Sequence, residues 1–273
     1  MKEKISLAGD LGSGKSTVAD ILISRLGAEY YSTGAIVRSI AEKHGMSVVE
    51  LNVYMETHPE IDHEIDDGLR ALGDVDKLLV IDSRMAWHFT PGTFRIYLSV
   101  DIETSAWRIM NANRCGEHAS TIEDTIKETR ARRESEKKRY MTQYGVDIKD
   151  LTNYSLIVDT TSATPTEVAE RIIASFEEWK RDKDYHRAFL SPERLRFPDD
   201  EADSALVAEL SAKLDEGMDI PEITVFEEDG DFYIADGAES ALAYIFSEAT
   251  FIPARLVKCS SDGAKYVEIK NSL

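Results

Sequence analysis

The fold is decided near the start of the chain, where residues 5–17 read ISLAGDLGSGKST. Residues 5–8 are a short apolar run, which is typical of a buried strand. Residues 9–16 fit the pattern G-x-x-x-x-G-K-[ST], and apolar residues at helical spacing follow over residues 16–26. A strand, a glycine-rich loop and a helix in this order predict a loop whose backbone N–H groups converge on phosphate oxygens.

Two side chains of this loop carry its chemistry. We expect Lys15 to reach the β- and γ-phosphates of a nucleoside triphosphate and the Ser16 hydroxyl to hold Mg²⁺. The predicted nucleotide-binding residues are Gly9, Gly12, Ser13, Gly14, Lys15, Ser16 and Thr17. A glycine-rich turn without a ligand is disfavoured by the strand and helix on either side. GTPases, motor ATPases and small-molecule kinases share the loop, so other residues must decide among them.

Composition excludes several classes of protein. The 273 residues contain 32 Lys+Arg and 51 Asp+Glu, a net charge of −19. Such an excess of negative charge disfavours nucleic acid polymers and anionic membranes as partners. No apolar run approaches the roughly 18 residues of a membrane span. Cys115 and Cys259 are far apart in sequence and predict free thiols, so we expect a cytoplasmic protein.

The negative charge is unevenly divided along the chain. Residues 187–273 carry 8 Lys+Arg and 19 Asp+Glu, which is −11 of the total of −19. A shift of this kind favours a domain boundary. We therefore predict a first domain over residues 1–180, a linker over residues 181–198, and a small acidic domain over residues 199–273.

Apolar runs alternate with helical patterns in the first domain, which predicts an α/β fold with a doubly wound parallel sheet and a helical lid. Strands are predicted at residues 5–8, 78–81, 94–100 and 156–158, and helices at residues 16–26, 35–44, 48–55, 121–140 and 165–179. The last part of the chain predicts a small α+β unit. Its elements are a helix over residues 205–214, a hairpin that turns at residues 229–230, a helix over residues 239–247 and a strand over residues 254–257.

A second candidate phosphate site follows the first helix, where residues 31–38 read YSTGAIVR. A phosphate loop followed by S-T-G-x-x-x-R resembles the nucleoside monophosphate kinases, and most closely the cytidylate kinases. The resemblance implies that Arg38 binds the acceptor phosphate through a bidentate contact, with Ser32, Thr33 and Gly34 in the same site. From the residues alone, a Ser/Thr helix cap followed by an exposed arginine is an alternative.

The predicted strand at residues 78–81 leads into Asp82, Ser83 and Arg84. Ligands of open parallel sheets bind beyond the carboxyl ends of the strands. The kinase family has D/E-G-R here, and the resemblance implies that Arg84 contacts the monophosphate and Asp82 the acceptor nucleotide or a magnesium-bound water. Ser83 departs from the glycine of that pattern. The alternative is that Asp82 caps the next segment and Arg84 pairs with it.

A basic segment lies at residues 127–139, which read KETRARRESEKKR, with seven positive and three negative charges. Helical spacing places Arg130, Arg133 and Lys137 near one face. A solvated helix with internal ion pairs is the alternative. Residues 130–147 resemble the lid helix of the cytidylate kinases, which implies that Arg130, Arg133 and Arg139 neutralise phosphates during transfer. We expect Arg132 to be solvated, and which arginine meets the transferred group stays open.

The resemblance covers about residues 3–178 and implies ATP-dependent phosphoryl transfer to a nucleoside monophosphate, with CMP or dCMP as the acceptor. Two alternatives stay open: a nucleotide sensor that reports to a protein partner through its acidic C-terminal domain, and a P-loop kinase for another small metabolite. Residues 220–240 resemble the ParB/sulfiredoxin-like fold, with Ser240 in place of that family's phosphate-binding arginine. A partner-binding module and a stabilising appendage are both open for this domain.

Overall fold

The computed structural model describes residues 3–55, 57–112, 121–200, 202–258 and 266–268. Cys115 and Cys259, which we predicted to be free thiols, lie outside these ranges. Within the ranges, no helix combines the length and the apolar character that crossing a membrane requires.

Eleven strands in the described part of the chain form one sheet. They are β1 (Lys4–Gly9), β2 (Glu29–Ser32), β3 (Leu79–Asp82), β4 (Phe94–Ser99), β5 (Leu156–Asp159), β6 (Arg187–Leu190), β7 (Leu195–Pro198), β8 (Ile223–Glu228), β9 (Asp231–Asp236), β10 (Ile252–Leu256) and β11 (Tyr266–Glu268). Their order across the sheet is β11-β7-β9-β8-β10-β6-β5-β4-β1-β3-β2. The block from β6 to β2 is wholly parallel, which confirms the predicted α/β fold.

Helices cover the sheet and connect its strands. They are α1 (Lys15–Leu26), α2 (Thr33–Lys43), α3 (Val48–Met55), α4 (Pro59–Ala71), α5 (Ala86–Phe89), α6 (Ile102–Asn111), α7 (Ile122–Tyr144), α8 (Pro165–Arg181), α9 (Ser204–Asp215) and α10 (Ala238–Phe246). The main core packs α1 and α8 against β1, β4 and β5. A second core joins β6 to β10 with Ala8, Tyr97 and Ile157 of the parallel strands.

The loop after β1 depends on glycine at both ends. Gly9 has φ +148°, and a Cβ added to it would overlap the carbonyl oxygen of Leu98 on β4. Gly14 adopts the left-handed conformation at φ 77° and forms the N-cap of α1. A side chain at either position would be strained. The two glycines therefore fix the path by which the chain leaves the sheet and enters α1.

Helix α7 runs from residue 122 to residue 144, four residues beyond the predicted end at residue 140. Thr121 caps its start by accepting a hydrogen bond from the amide N–H of Asp124 at 3.1 Å. Tyr140 and Tyr144 pack against the core beside β3, so apolar contacts extend the basic stretch by another turn. Gly145, with φ 66°, then ends the helix.

Two strands, β6 and β7, lie within residues 181–198, where we predicted a linker. Within it, β6 pairs parallel with β5 and antiparallel with β10, and β7 pairs with β9. Polar residues at 181–187 suggested a loop, but the apolar run at residues 188–190 is buried inside the sheet. One sheet therefore continues into the C-terminal part, whose status as a separate domain stays a prediction.

The hairpin predicted at residues 229–230 is confirmed. Asp229 and Gly230 have φ values of 53° and 93°, which lie in the left-handed region that a tight two-residue turn uses. The turn joins β8 to β9, and α9 and α10 also lie where we predicted helices. The loop tip at these two residues faces the carboxyl ends of β5 and β6, since Gly230 accepts a hydrogen bond from Arg194.

Candidate functional site

Lys15 lies in the first turn of α1. Its Nζ donates hydrogen bonds to the carbonyl oxygens of Gly9 at 2.9 Å and Asp10 at 2.6 Å. Burial, reinforced by the charge of Arg84, lowers the pKa of Lys15 to about 8. Neutral carbonyls hold an ammonium group more weakly than phosphate oxygens do. The side chain is therefore placed to exchange these carbonyls for an anion.

Asp10, the second residue of the loop, is the centre of a buried cluster that our sequence reasoning missed. Its Oδ1 accepts hydrogen bonds from Lys149 Nζ and, at 2.8 Å, from the Tyr97 hydroxyl. Its Oδ2 accepts one from the amide of Val100 at 3.2 Å. Burial opposes ionisation, but the charges of Lys149 and Arg133 outweigh it and lower the pKa of Asp10 to about 2. Asp10 is therefore ionised at neutral pH and anchors cations beside the loop.

Replacing this carboxylate should destabilise the fold. A pKa of about 2, against 3.8 for the unperturbed group, is worth about 2 kcal/mol at pH 7. We expect Asp10→Asn to lower the free energy of unfolding by about that amount at pH 7 and by about half of it at pH 3, because the contribution is lost as pH falls through 3.8 towards 2. Urea titrations at both values measure it. Asp67→Asn, which removes an exposed carboxylate, is the control. An equal effect of both substitutions would contradict the assignment.

Two of the predicted lid arginines lie on the side of α7 that faces the loop. Nη2 of Arg133 is 3.4 Å from Oδ1 of Asp10. Its Nε and Nη2 are buried and have no hydrogen-bond partner within the described residues. Arg130 is exposed at the edge of a cavity of about 650 Å³ that also contains Arg133. Unsatisfied guanidinium donors beside a phosphate loop are suited to an anionic ligand.

Arg139 and Arg132 lie elsewhere on α7. Nε of Arg139 is 3.9 Å from Oδ2 of Asp62 on α4, and both side chains are buried. Arg139 thus joins α7 to α4, whereas Arg133 lies beside Asp10. Arg132 Nε donates to Glu136 Oε1 at 3.2 Å. Its side chain is 28% exposed, so Arg132 is partly solvated and also pairs with a buried carboxylate one turn further along the helix.

Arg84 connects the end of β3 to the lid. Its Nε lies 2.7 Å from Oε2 of Glu136, and the Glu136 side chain is only 7% exposed. Burial opposes ionisation of Glu136, but the charges of Arg84 and Arg132 outweigh it and lower its pKa. Among the described ion pairs, Arg84 pairs with Glu136 and not with Asp82. The pair holds Arg84 near Lys15, and the positive charge of Arg84 contributes to the lowered pKa of Lys15.

The predicted acceptor residues meet at the carboxyl ends of β2 and β3. Ser32 Oγ accepts a hydrogen bond from the Ala35 amide at 3.3 Å and caps α2. Thr33 Oγ1 donates to the Asp82 carbonyl at 3.4 Å. Arg38 is exposed one turn along α2. The structure thus brings the set together, while its contacts with a phosphate stay a prediction.

Gly34 and Asp82 complete this edge. A Cβ on Gly34 would lie 3.5 Å from Nη1 of Arg38, which places the guanidinium of Arg38 beside the start of α2. Oδ2 of Asp82 accepts a hydrogen bond from the Tyr30 hydroxyl at 3.0 Å. Ser83, which replaces the glycine of the kinase pattern, is buried, and its Oγ accepts from the Met85 amide at 3.3 Å. The extra side chain is therefore accommodated by a local hydrogen bond.

A cavity of about 290 Å³ lies on the other side of the loop and is lined by Gly12, Thr17, Arg108 and Thr160, among others. Nη2 of Arg108 donates to the carbonyls of Thr160 at 2.7 Å and Thr161 at 3.1 Å. Sequence reasoning missed Arg108 because it predicted no helix over residues 102–111, where the buried residues are the small Ser105 and Ala106. The cavity is large enough for a nucleobase next to the phosphate loop.

The cytidylate kinase-like family matches residues 4–162 of this chain. The match contains the phosphate loop, the end of β3 and the whole of α7. The chain belongs to the cytidylate kinase-like family. Family membership supports a kinase-type enzyme and leaves its substrate open.

Individual relatives agree with this placement. A cytidylate kinase from Thermoplasma volcanium is 33% identical over 186 residues, which cover 67% of this chain and 95% of that protein. An S-adenosylmethionine-dependent nucleotide dehydratase from Lacinutrix mariniflava is 37% identical over 178 residues, 65% of this chain. The chain spans only 36% of the length of that dehydratase.

One solved structure, an uncharacterized protein from Eubacterium ventriosum ATCC 27560, superposes with a TM-score of 0.50. It is 15% identical and covers 64% of this chain and 99% of that one. At this identity the likeness supports the fold alone. The ParB/sulfiredoxin-like resemblance of the C-terminal residues stays a prediction.

Proposed function

We propose that this cytidylate kinase-like protein transfers the γ-phosphoryl group of ATP to the phosphate of CMP or dCMP. One observation carries the proposal: cations from three separate elements meet at the phosphate loop. They are Lys15 from the loop, Arg84 from the end of β3 and Arg133 from the lid helix. Phosphoryl transfer needs positioning and neutralisation of spread negative charge more than it needs a protein nucleophile.

The transfer itself is a displacement at phosphorus. An oxygen of the acceptor monophosphate forms a bond to the γ-phosphorus, and the bond from that phosphorus to the bridging oxygen breaks to release ADP. Lys15 would neutralise the β- and γ-phosphates, and Arg133 would take up charge on the transferred group. Ser16 is exposed in the first turn of α1, where its hydroxyl suits a metal held mainly by the nucleotide. When bound, Mg²⁺ would neutralise charge on the β- and γ-phosphates.

The lid would keep water away from the reacting groups. The buried Glu136 fastens α7 to Arg84 at the end of β3, and Arg139 fastens it to α4 through Asp62. A helix held at both of these points would cover the acceptor phosphate and the phosphate loop together. Exclusion of water favours transfer to the acceptor over hydrolysis of ATP.

The choice of cytosine is supported by the relatives named as cytidylate kinases, of which the Thermoplasma protein matches over 95% of its length. We do not propose dehydration, because the match to this chain covers only 36% of the length of the dehydratase. The identity of the acceptor nucleotide therefore needs a direct comparison of substrates.

Kinetic measurements with CMP, dCMP, UMP and AMP as acceptors provide that comparison. With saturating ATP and Mg²⁺, we expect kcat/KM for CMP or dCMP to exceed the values for UMP and AMP by about 100-fold, because groups that hydrogen-bond the base reject an acceptor that lacks the matching atoms. Lys138→Gln, which changes an exposed residue on α7, is the control and should match the wild type. A preference for AMP would contradict the cytosine assignment. ATP binding without transfer to any acceptor would support the nucleotide sensor instead.

A further inference from the structure

Arg194, in the turn between β6 and β7, is a buried cation outside the family match. Its Nη1 lies 2.8 Å from Oδ2 of Asp159, the last residue of β5. The Arg194 side chain is 6% exposed and that of Asp159 is fully buried. The contact follows from topology, because β5 and β6 are parallel neighbours and end at the same edge of the sheet.

The carboxylate that Arg194 pairs with also organises the chain that follows β5. Oδ2 of Asp159 accepts a hydrogen bond from the Ser99 hydroxyl at 2.7 Å, and Oδ1 accepts one from the Thr161 amide at 3.0 Å. Arg194 Nη1 donates in addition to Thr161 Oγ1 at 3.3 Å, and that oxygen also accepts from the Asp101 amide at 3.2 Å. The loop after β5 and the start of α6 are therefore both tied to Arg194.

The loop after β5 also lines the cavity of about 290 Å³ beside the phosphate loop through Thr160, together with Arg108 from the second half of α6. Arg108 of α6 donates to the carbonyls of Thr160 and Thr161, and its Nη1 lies 3.5 Å from the Gly12 carbonyl of the phosphate loop. A continuous series of hydrogen bonds thus runs from Arg194 to the loop that would hold the triphosphate. A substitution at Arg194 would remove the first of these hydrogen bonds and so alter the position of Thr161, which Arg108 links to the phosphate loop.

The other edge of the Arg194 guanidinium faces the C-terminal hairpin. Nη2 donates to the carbonyl of Gly230 in the β8–β9 turn, and the guanidinium lies 5.4 Å from the ring centroid of Phe232. The turn is fixed in its own right, because Glu227 accepts a hydrogen bond from the Gly230 amide at 2.7 Å. The C-terminal part of the chain therefore determines where Arg194 can lie.

We propose that Arg194 is a positioning residue, through which the C-terminal part of the chain sets the wall of the donor-nucleotide cavity. The proposal rests on the proposed function, since it takes that cavity to hold the base of ATP. It gives the acidic C-terminal residues a role in the kinase site itself. Acceptor binding, on the far side of the phosphate loop, should not depend on this contact.

Calorimetric titration of ATP without an acceptor tests the proposal on the full chain. We expect Arg194→Gln to raise the Kd for ATP about ten-fold, in the range usual for coupled sites, and to raise its KM similarly. The KM for CMP and kcat should stay within about two-fold of the wild type, a split that loss of folded protein would not produce. Arg187→Gln is the matched control, because it removes a half-exposed arginine at the other end of β6. An unchanged Kd for ATP in Arg194→Gln would overturn the proposal.

A second variant keeps the test decisive if Arg194→Gln does not fold. Removing one partner of a buried ion pair leaves an uncompensated charge, whereas replacing both is far better tolerated. The double substitution Asp159→Asn with Arg194→Met should therefore fold and still bind ATP about ten-fold more weakly. Wild-type affinity in the double variant would overturn the proposal. Because ATP binding is measured without turnover, a wild-type protein that binds ATP and transfers nothing contradicts the proposed function and leaves this test intact.

Discussion

Lys15→Met is expected to lower kcat by about 10²- to 10³-fold, the usual loss when a preorganised charge-stabilising group is removed. Thermal stability should not fall with it. Burial lowers the pKa of Lys15 to about 8, so the charged form is disfavoured in the folded protein, and methionine fills similar space without a charge. Steady-state kinetics and thermal unfolding of the same preparation measure both effects. A parallel loss of activity and of folded protein would contradict a catalytic role.

The pH profile provides an independent check on Lys15. Because kcat/KM reports the groups of the free enzyme, kcat/KM for ATP should fall above pH 8 as Lys15 loses its proton. In Lys15→Arg the guanidinium stays protonated throughout this range, so the alkaline decrease should disappear even though the absolute rate is lower. An alkaline decrease at the same pH in both proteins would assign it to another group.

Arg133→Gln is expected to lower kcat by about 10²-fold or more, since arginines that neutralise a transferred phosphoryl group have effects of at least this size. The side chain already lies 3.4 Å from Asp10 and has buried donors without a hydrogen-bond partner in the described residues. The KM for ATP should change less than kcat, because the charge that Arg133 meets develops during transfer. Initial rates with ATP and CMP measure the effect.

Lys138→Gln is the matched control for Arg133. Lys138 is exposed on the same helix, five residues further along, and its substitution also removes one positive charge from the lid. The two variants therefore have the same net charge and differ only in where the charge is lost. Equal losses of kcat in both would show that the lid acts through its overall charge, which contradicts a specific role for Arg133.

The phosphate loop was the most predictable part of the site, because backbone geometry there depends on a few residue types close together in sequence. Gly9 and Gly14 have the conformations that the motif implies, and Lys15 lies at the start of α1. Asp10 was not predicted, since its position in the motif admits any residue. Its role depends on Tyr97 and Lys149, which only the folded sheet brings to it.

The C-terminal part was less predictable for a related reason. The hairpin at Asp229 and Gly230 is local and was predicted correctly. Strand β6 was taken for a linker, because its partner β10 lies about sixty residues away, with Leu190 opposite Ile252. Arg194 had no local signal either, since its partners Asp159 and Gly230 are 35 and 36 residues away along the chain. The contacts of Arg194 with Asp159 and Gly230 could therefore not be predicted from neighbouring residues in the sequence.

The central claim is phosphoryl transfer between two nucleotides, and direct measurement of both products tests it. The 273-residue chain is incubated with ATP, Mg²⁺ and CMP, and ADP and CDP are separated and quantified over time. We predict equal molar amounts of ADP and CDP, formed at a rate that Lys15→Met lowers by about 10²-fold or more. ADP without CDP, or ATP bound with neither product formed, would contradict the claim.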